Sequence, residues 1–304
     1  MFGLNKIIPS NSNISFMSYR KIFISVSASA IVVCLFLLFF KGLNLGIDFK
    51  GGTLIEISTK DTNIGELRSI LSPEFSDVSL QEFGDSETII IRLQNESNNE
   101  SIKTIDKVKD LISDKVTEFR RSEFVGPTIS SELLWTGLQA IAFALIAILI
   151  YIWLRFEWQF GFGAVVALTH DVIFTLGILS LFSVDFSLSS IAAILTIAGY
   201  SINDSVVIFD RIRENLRKYK KLELPDLFNT SINNTLSRTI MTSLTTLIAL
   251  LCLYIFGGEV IKPFAIAMII GVIIGTYSSI FIAVPTLLIF KFRPQEEDNN
   301  NKLI

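Results

Sequence analysis

The sequence predicts an α-helical polytopic membrane protein carrying one small α+β domain outside the bilayer, and three observations lead there. Half of the 304 residues are hydrophobic, only 18% are charged and the mean hydropathy is +0.55, too apolar for a soluble domain of this length. The hydrophobic residues gather into six runs, each able to cross the roughly 30 Å hydrocarbon layer. A single long polar stretch of mixed charge separates the first run from the second.

The first run, 22–40, is longer than a signal-peptide core, and Lys41-Gly42-Leu43-Asn44 after it is a poor cleavage site, so it is read as a retained helix. The others span 133–154, 160–182, 186–209, 240–256 and 263–290; the fifth is near the short limit and the sixth is long enough to tilt. Six crossings put both chain ends on one side. Lys6, Arg20, Lys21, Arg155, Lys291 and Arg293 fall on that side, with Arg211, Arg213, Arg217, Lys218, Lys220 and Lys221 in the fourth connection, against Lys262 in the opposite short turns. Positive charge stays in the cytoplasm. The expected cytoplasmic parts are therefore the tails 1–21 and 291–304 and a basic amphipathic connection, 210–239, while alternation places 41–132 outside.

Several classes are excluded. A net charge of −3 with no detached Lys/Arg run argues against a nucleic-acid surface. Cys34 and Cys252 lie inside apolar runs and read as small buried hydrophobes, so neither a disulfide nor a metal framework is implied. No nucleophile, base and orienting group converge, which speaks against an enzyme.

In the polar stretch the hydrophobic period changes. Residues 53–58 alternate as a strand, 64–71 read as a short helix, 77–83 and 88–93 as two strands joined through Gly84-Asp85, 101–116 as a helix and 118–125 as a strand. The order β-α-β-β-α-β is that of a ferredoxin-like split unit. It holds no His or Cys and its carboxylates are scattered, so binding or mechanical coupling suits it better than chemistry.

An Asp or Arg near the centre of a spanning helix costs about 3 kcal/mol to insert, so it ordinarily faces a partner or a wet path. Ser201, Asp204 and Ser205 share one face of the fourth helix, with Asn203 beside them. Asp204 lies toward the cytoplasmic end, so snorkelling to the interface is one reading. Pairing with Arg238, which opens the next helix ahead of Thr242, Thr245 and Thr246, is the other. Such a pair would either fix helix register statically or, on protonation of Asp204, release Arg238 and favour another arrangement. His170 and Asp171, mid-way along the third helix, point about 100° apart, and the sequence leaves open which of them joins the polar path. Gly271 and Gly275, with Ser279 a step further, make a small-residue stripe suited to close helix packing.

These residues also carry a family resemblance. Gly46-Ile47-Asp48-Phe49-Lys50-Gly51-Gly52-Thr53 resembles the G-x-D-F-x-G-G-T signature of the SecF family and, more loosely, of SecD. Val125-Gly126-Pro127 is similar to the family's lead-in to the second helix, and 198–215 and 237–246 resemble its fourth- and fifth-helix motifs. The likeness runs from about 43 to 290; both tails match nothing specific. It implies one six-helix half of a resistance-nodulation-division (RND) type fold in a bacterial cell inner membrane, with the domain at 41–132 periplasmic. SecD would supply the other half, and the SecYEG channel, YajC, indirectly SecA, translocating preproteins and membrane lipid would be partners. The implied role is completing preprotein translocation with the proton motive force after the ATP-driven step, with Asp204 and Arg238 as the proton relay. Protons would be the coupling ion, with no cofactor and no metal. Two alternatives stand beside it: a proton-coupled exporter of small molecules or lipids, and a non-transporting scaffold.

Overall fold

The structure is a computed structural model that describes residues 12–59, 63–75, 78–82, 88–93, 101–258 and 260–290. In chain order the elements are α1 (Arg20–Phe40), β1 (Asn44–Leu45), α2 (Ile47–Lys50), β2 (Gly52–Ser58), α3 (Ile64–Leu71), β3 (Val78–Glu82), β4 (Thr88–Leu93), α4 (Ser101–Ile112), β5 (Glu118–Val125), α5 (Pro127–Arg155), α6 (Trp158–Leu181), β6 (Asp185–Phe186), α7 (Leu188–Lys218), α8 (Leu224–Phe256), α9 (Lys262–Ser278) and α10 (Val284–Leu287). They form two units: a helical one (1–44, 141–184, 189–304) and a mixed one (45–140, 185–188).

Among the described residues, six helical segments are long and apolar enough to span a membrane, as the hydrophobic runs predict. They do not share the interior equally. About half of an apolar 18-residue stretch is buried in α6, α7 and the span that α9 begins (50%, 56% and 56%), against 11%, 11% and 17% in α1, α5 and α8. The bundle thus has an inner trio and an outer trio, and the outer helices carry the exposed Val33, Phe39, Phe143, Trp153 and Leu154 that a lipid environment tolerates.

The helices overrun the apolar runs. The expected basic connection at 210–239 is mostly helix, because α7 continues to Lys218 and α8 begins at Leu224, leaving a short turn between them. Hydropathy marks where a helix meets lipid, not where its hydrogen bonds stop. Here Ile208, Phe209, Ile212 and Leu216 on α7, and Leu227, Phe228, Ile232 and Leu236 on α8, are buried at helical spacing in the bundle core, so the extensions pack as an amphipathic pair. Asn215 Nδ2 donates to Ser231 Oγ across the pair at 2.8 Å. The fourth helix starts at Leu188 rather than Phe186, since Asp185 and Phe186 are extended as β6.

The expected tail 1–21 is also partly structured. Phe16–Tyr19 is a 3-10 turn with Phe16 and Met17 buried. Asn229 and Asn233, one turn apart on α8, hold it: their Oδ1 atoms accept from the Met17 and Ile14 backbone N–H groups at 2.9 and 3.0 Å. Two side-chain amides on a polar helix face leave no mark on a hydropathy profile.

Glycine sets how closely helices approach. A Cβ at Gly177 on α6 would overlap the Cβ and Sγ of Cys34 on α1 and lie 2.9 Å from its Cα, so the two helices meet almost backbone to backbone. At the end of the sixth span the winding widens into a π-helical turn, Ser279–Ala283, just before Pro285. Proline has no N–H and crowds the carbonyl a turn earlier, which is the ordinary cause of such a break.

The mixed unit contains an antiparallel sheet in the order β3-β4-β2-β5, with α3 and α4 in the connections, the β-α-β-β-α-β arrangement read from the sequence. The expected strand 77–83 is observed as Val78–Glu82; its two end residues, the Gly84-Asp85 turn and the Asn/Ser-rich loop at 94–100 lie outside the described residues. The helix expected over 101–116 ends at Ile112 and tightens into a 3-10 turn. Asn63 caps α3, its Oδ1 accepting from Glu66 N at 2.9 Å. Central strand β2 alternates in composition, yet every residue of it is buried. One face sends Ile55 and Ile57 into the core with Leu67, Leu71, Ile89, Ile91, Val108 and Ile112, while Leu54 on the other packs with Ile90 and Ile47 of α2.

The turn into β2 requires glycine. Gly51 and Gly52 have φ of +74° and +107°, a region other residues adopt only under strain. Gly52→Ala is expected to cost about 1–3 kcal/mol and to speed amide exchange across the β2–β4 ladder about tenfold or more, read by hydrogen-exchange mass spectrometry. Gly177→Val is expected to lower stability in detergent by about 1–3 kcal/mol, partly recovered by adding Cys34→Gly, as thermal unfolding of the single and double variants checks.

Candidate functional site

The inner helix trio meets at a carboxylate. Asp171, mid-way along α6, is fully buried, and such a group persists in an apolar core only when donors surround it. Ser278 Oγ on α9 donates to Asp171 Oδ2 at 2.7 Å, and Ser201 Oγ on α7 donates to the same oxygen. His170 Nδ1 lies 3.0 Å from the other oxygen, Oδ1. Adjacent residues diverge by about 100° on a helix, yet here the two side chains touch each other. His170 Nε2 is buried and has no hydrogen-bond partner among the described residues.

Backbone proximity makes this junction possible. A Cβ on Gly275 of α9 would stand 3.0 Å from Ser201 Cβ, and one on Gly271 would run into the Ile197 side chain. The glycine stripe therefore lets α9 lie against α7 where both supply a hydroxyl to Asp171. Ser279 is buried with its hydroxyl donating to the Thr276 carbonyl at 2.9 Å, and it is the neighbouring Ser278 that reaches the carboxylate. Ser278 escaped the sequence reading, although its place three residues after Gly275 was a usable signal.

Close by on α7, Ser205 is buried and Asp204 is 3% exposed, so Asp204 does not snorkel out of the protein. Its Oδ2 is buried with no hydrogen-bond partner among the described residues, as are Tyr200 Oη and Thr175 Oγ1. Arg238 on α8 is exposed on this chain and makes no ion pair with Asp204 among the described residues, yet its charge is within electrostatic reach of that carboxyl. Thr242, a turn later, spends its hydroxyl on its own helix, donating to the Arg238 and Thr239 carbonyls at 3.1 and 2.9 Å. Asn203 is exposed. The structure thus brings Asp171, His170, Ser201 and Ser278 into one bonded cluster, and leaves Asp204 and Arg238 unbonded to each other among the described residues.

The Gly46–Thr53 motif does a different job, inside the mixed unit. Gly46 N donates to the Phe186 carbonyl at 2.8 Å, and a Cβ there would be 3.3 Å from that oxygen. Asp48 Oδ2 accepts from Leu188 N at 2.9 Å, and the Phe49 and Phe186 rings pack at 5.7 Å. Arg92 on β4 pairs with Asp185. The motif is a dock for the 185–188 segment, with Thr53 buried as β2 begins.

Comparison with known proteins places the chain in a family. A family model described as "Protein export membrane protein SecD/SecF, C-terminal" matches residues 104–293, and a second, "SecD/SecF GG Motif", matches 36–62. The chain is 43% identical over 290 residues to a protein translocase subunit SecF of Rickettsia rickettsii, covering 94% of each chain, and 44% identical over 293 residues to that of Rickettsia prowazekii, covering 95% and 94%. Among solved structures it is similar to SecDF, a translocon-associated membrane protein from Thermus thermophilus, with a TM-score of 0.85 at 35% identity over 93% of this chain. The chain spans 39% of the length of that SecDF polypeptide. By full-length identity, by matched motifs and by fold, this multi-pass membrane protein belongs to the SecD/SecF family of protein-export membrane proteins.

Proposed function

We propose that this chain is the SecF-type subunit of the Sec translocase accessory complex and that, together with SecD, it uses the proton motive force to complete preprotein translocation through SecYEG after the SecA step. The observation that carries the reading is Asp204: a carboxyl 3% exposed in a membrane-spanning helix, with one oxygen unpartnered and a guanidinium nearby. Each protonation state asks for different surroundings. The neutral acid needs little, whereas the carboxylate needs a cation or donors, and Arg238 is the cation at hand. Exchange of a proton therefore shifts the preferred placement of α8 against α7. A charge moved through the membrane potential is worth about 2.3 kcal/mol per 100 mV, enough to bias two arrangements.

SecD is the partner this reading supplies. Arg238 and Asn203 face outward from spanning helices of this chain, where lipid would be a poor neighbour. The similar SecDF polypeptide is more than twice as long as the part this chain matches. The bias of Lys and Arg supports an inner-membrane orientation with both termini cytoplasmic and the mixed unit periplasmic. YajC and indirect contact with SecA belong to the same reading. The chain acts through binding and movement rather than catalysis, in keeping with relatives named as translocase subunits, a name that also disfavours the exporter of small molecules or lipids.

Preprotein translocation into proteoliposomes carrying SecYEG, SecA, SecD and this chain, with and without a proton gradient, tests the proposal. Asp204→Asn is expected to co-purify with SecD yet to lose the gradient-dependent stimulation, falling to the no-gradient rate; full stimulation would reduce Asp204 to a scaffold residue. Asp171→Leu is expected to act differently, costing about 1–3 kcal/mol per stranded hydroxyl of Ser201 and Ser278 and so lowering thermal stability of the isolated chain, which Asp204→Asn leaves nearly unchanged.

A further inference from the structure

The helical unit has a cleft of about 630 Å³ lined by Arg155, Asp210, Arg213, Glu214, Arg217 and Lys218, at the C-terminal end of α5 and along the last turns of α7. Its charge is unbalanced, with four cations facing two carboxylates. Local pairing accounts for only some of them. Asp210 takes Arg155 at 3.0 Å and Arg213 at 3.9 Å, and Glu214 is already bonded by Arg211 at 2.8 Å from outside the cleft. Both Arg155 and Arg213 also lie over the Phe156 ring, at 5.0 and 5.5 Å, which holds their guanidinium groups in place. Arg217 and Lys218 are left exposed, without a carboxylate among the described residues.

Depth identifies what such a cleft meets. Immediately before Arg155 stand Trp153 and Leu154, 73% and 85% exposed, and soon after it Trp158, 58% exposed. Exposed tryptophans mark the boundary between hydrocarbon and head groups, where an Arg can also keep its charged end in water. The cations therefore lie at head-group level, with apolar surface on the hydrocarbon side. We propose that this cleft binds the phosphate of an anionic phospholipid, with Arg217 and Lys218 supplying the charge and Arg155 and Arg213, held by Asp210, shaping its wall. The site is separate from Asp204 and Arg238, and the proposal needs only that the chain lies in a bilayer, so its failure would leave the export role untouched.

The test is native mass spectrometry of the full-length chain in detergent, titrated with phosphatidylglycerol or phosphatidylcholine, with inorganic phosphate as a competitor. Phosphatidylglycerol is expected to bind about tenfold more tightly than phosphatidylcholine, and Arg217→Gln with Lys218→Gln to cut that preference to about twofold. The charge-keeping swap Arg217→Lys with Lys218→Arg should retain it, and so should Lys21→Gln, which removes a cation from the same end of the bundle outside the cleft. Single Arg217→Gln should give an intermediate value and serves if the double variant is poorly folded. The proposal is overturned if the preference survives loss of both cleft cations, if Lys21→Gln abolishes it equally, or if inorganic phosphate displaces the lipid and binds in its place.

Discussion

A carboxylate that has lost its water must be given donors, and in this bundle that requirement ties the interior together. Asp171 takes hydroxyl hydrogen bonds from Ser201 on α7 and Ser278 on α9, and it contacts its own neighbour His170. Three helices are thereby held in one register by groups that apolar packing alone would not specify. The same helices are the most deeply buried of the six candidate spans, while α1, α5 and α8 remain largely open to their surroundings. Polar satisfaction and helix burial thus describe one inner core.

Small residues make that satisfaction geometrically affordable. Gly275 brings α9 within van der Waals distance of Ser201, and Gly177 does the same for α6 and α1 at Cys34. Within the mixed unit the glycines serve conformation instead, since Gly51 and Gly52 turn the chain at positive φ into a strand buried on both faces. A single residue type answers two unrelated demands, close approach and backbone reversal.

Much of this was legible beforehand. The six spans follow from continuous apolar runs, and the four-stranded unit follows from alternation broken by turn residues, because both patterns report directly on which faces avoid water. The helix extensions beyond 209 and before 240 were not, since they are polar on one side and their buried stripe is shorter than a membrane crossing. The packed segment at Phe16–Tyr19 depends on two asparagines more than two hundred positions away, a separation that no local pattern encodes. At the site, Asp171, Asp204 and Arg238 stand out in sequence because charge is rare in spanning helices, whereas Ser278 is ordinary in composition and gains meaning only from what it touches. The contact between His170 and Asp171 likewise depends on side-chain rotation rather than on helical phase.

The widened turn at Ser279–Ala283 sits directly after Ser278. An α-helix advances about 100° per residue, so a turn that accommodates one extra residue offsets the angular phase of everything on either side of it. Because Pro285 cannot restore the missing backbone bond, the offset is built into the chain. The Ser278 hydroxyl that reaches the Asp171 carboxylate therefore keeps an angular phase of its own, offset from that of the residues beyond the widened turn.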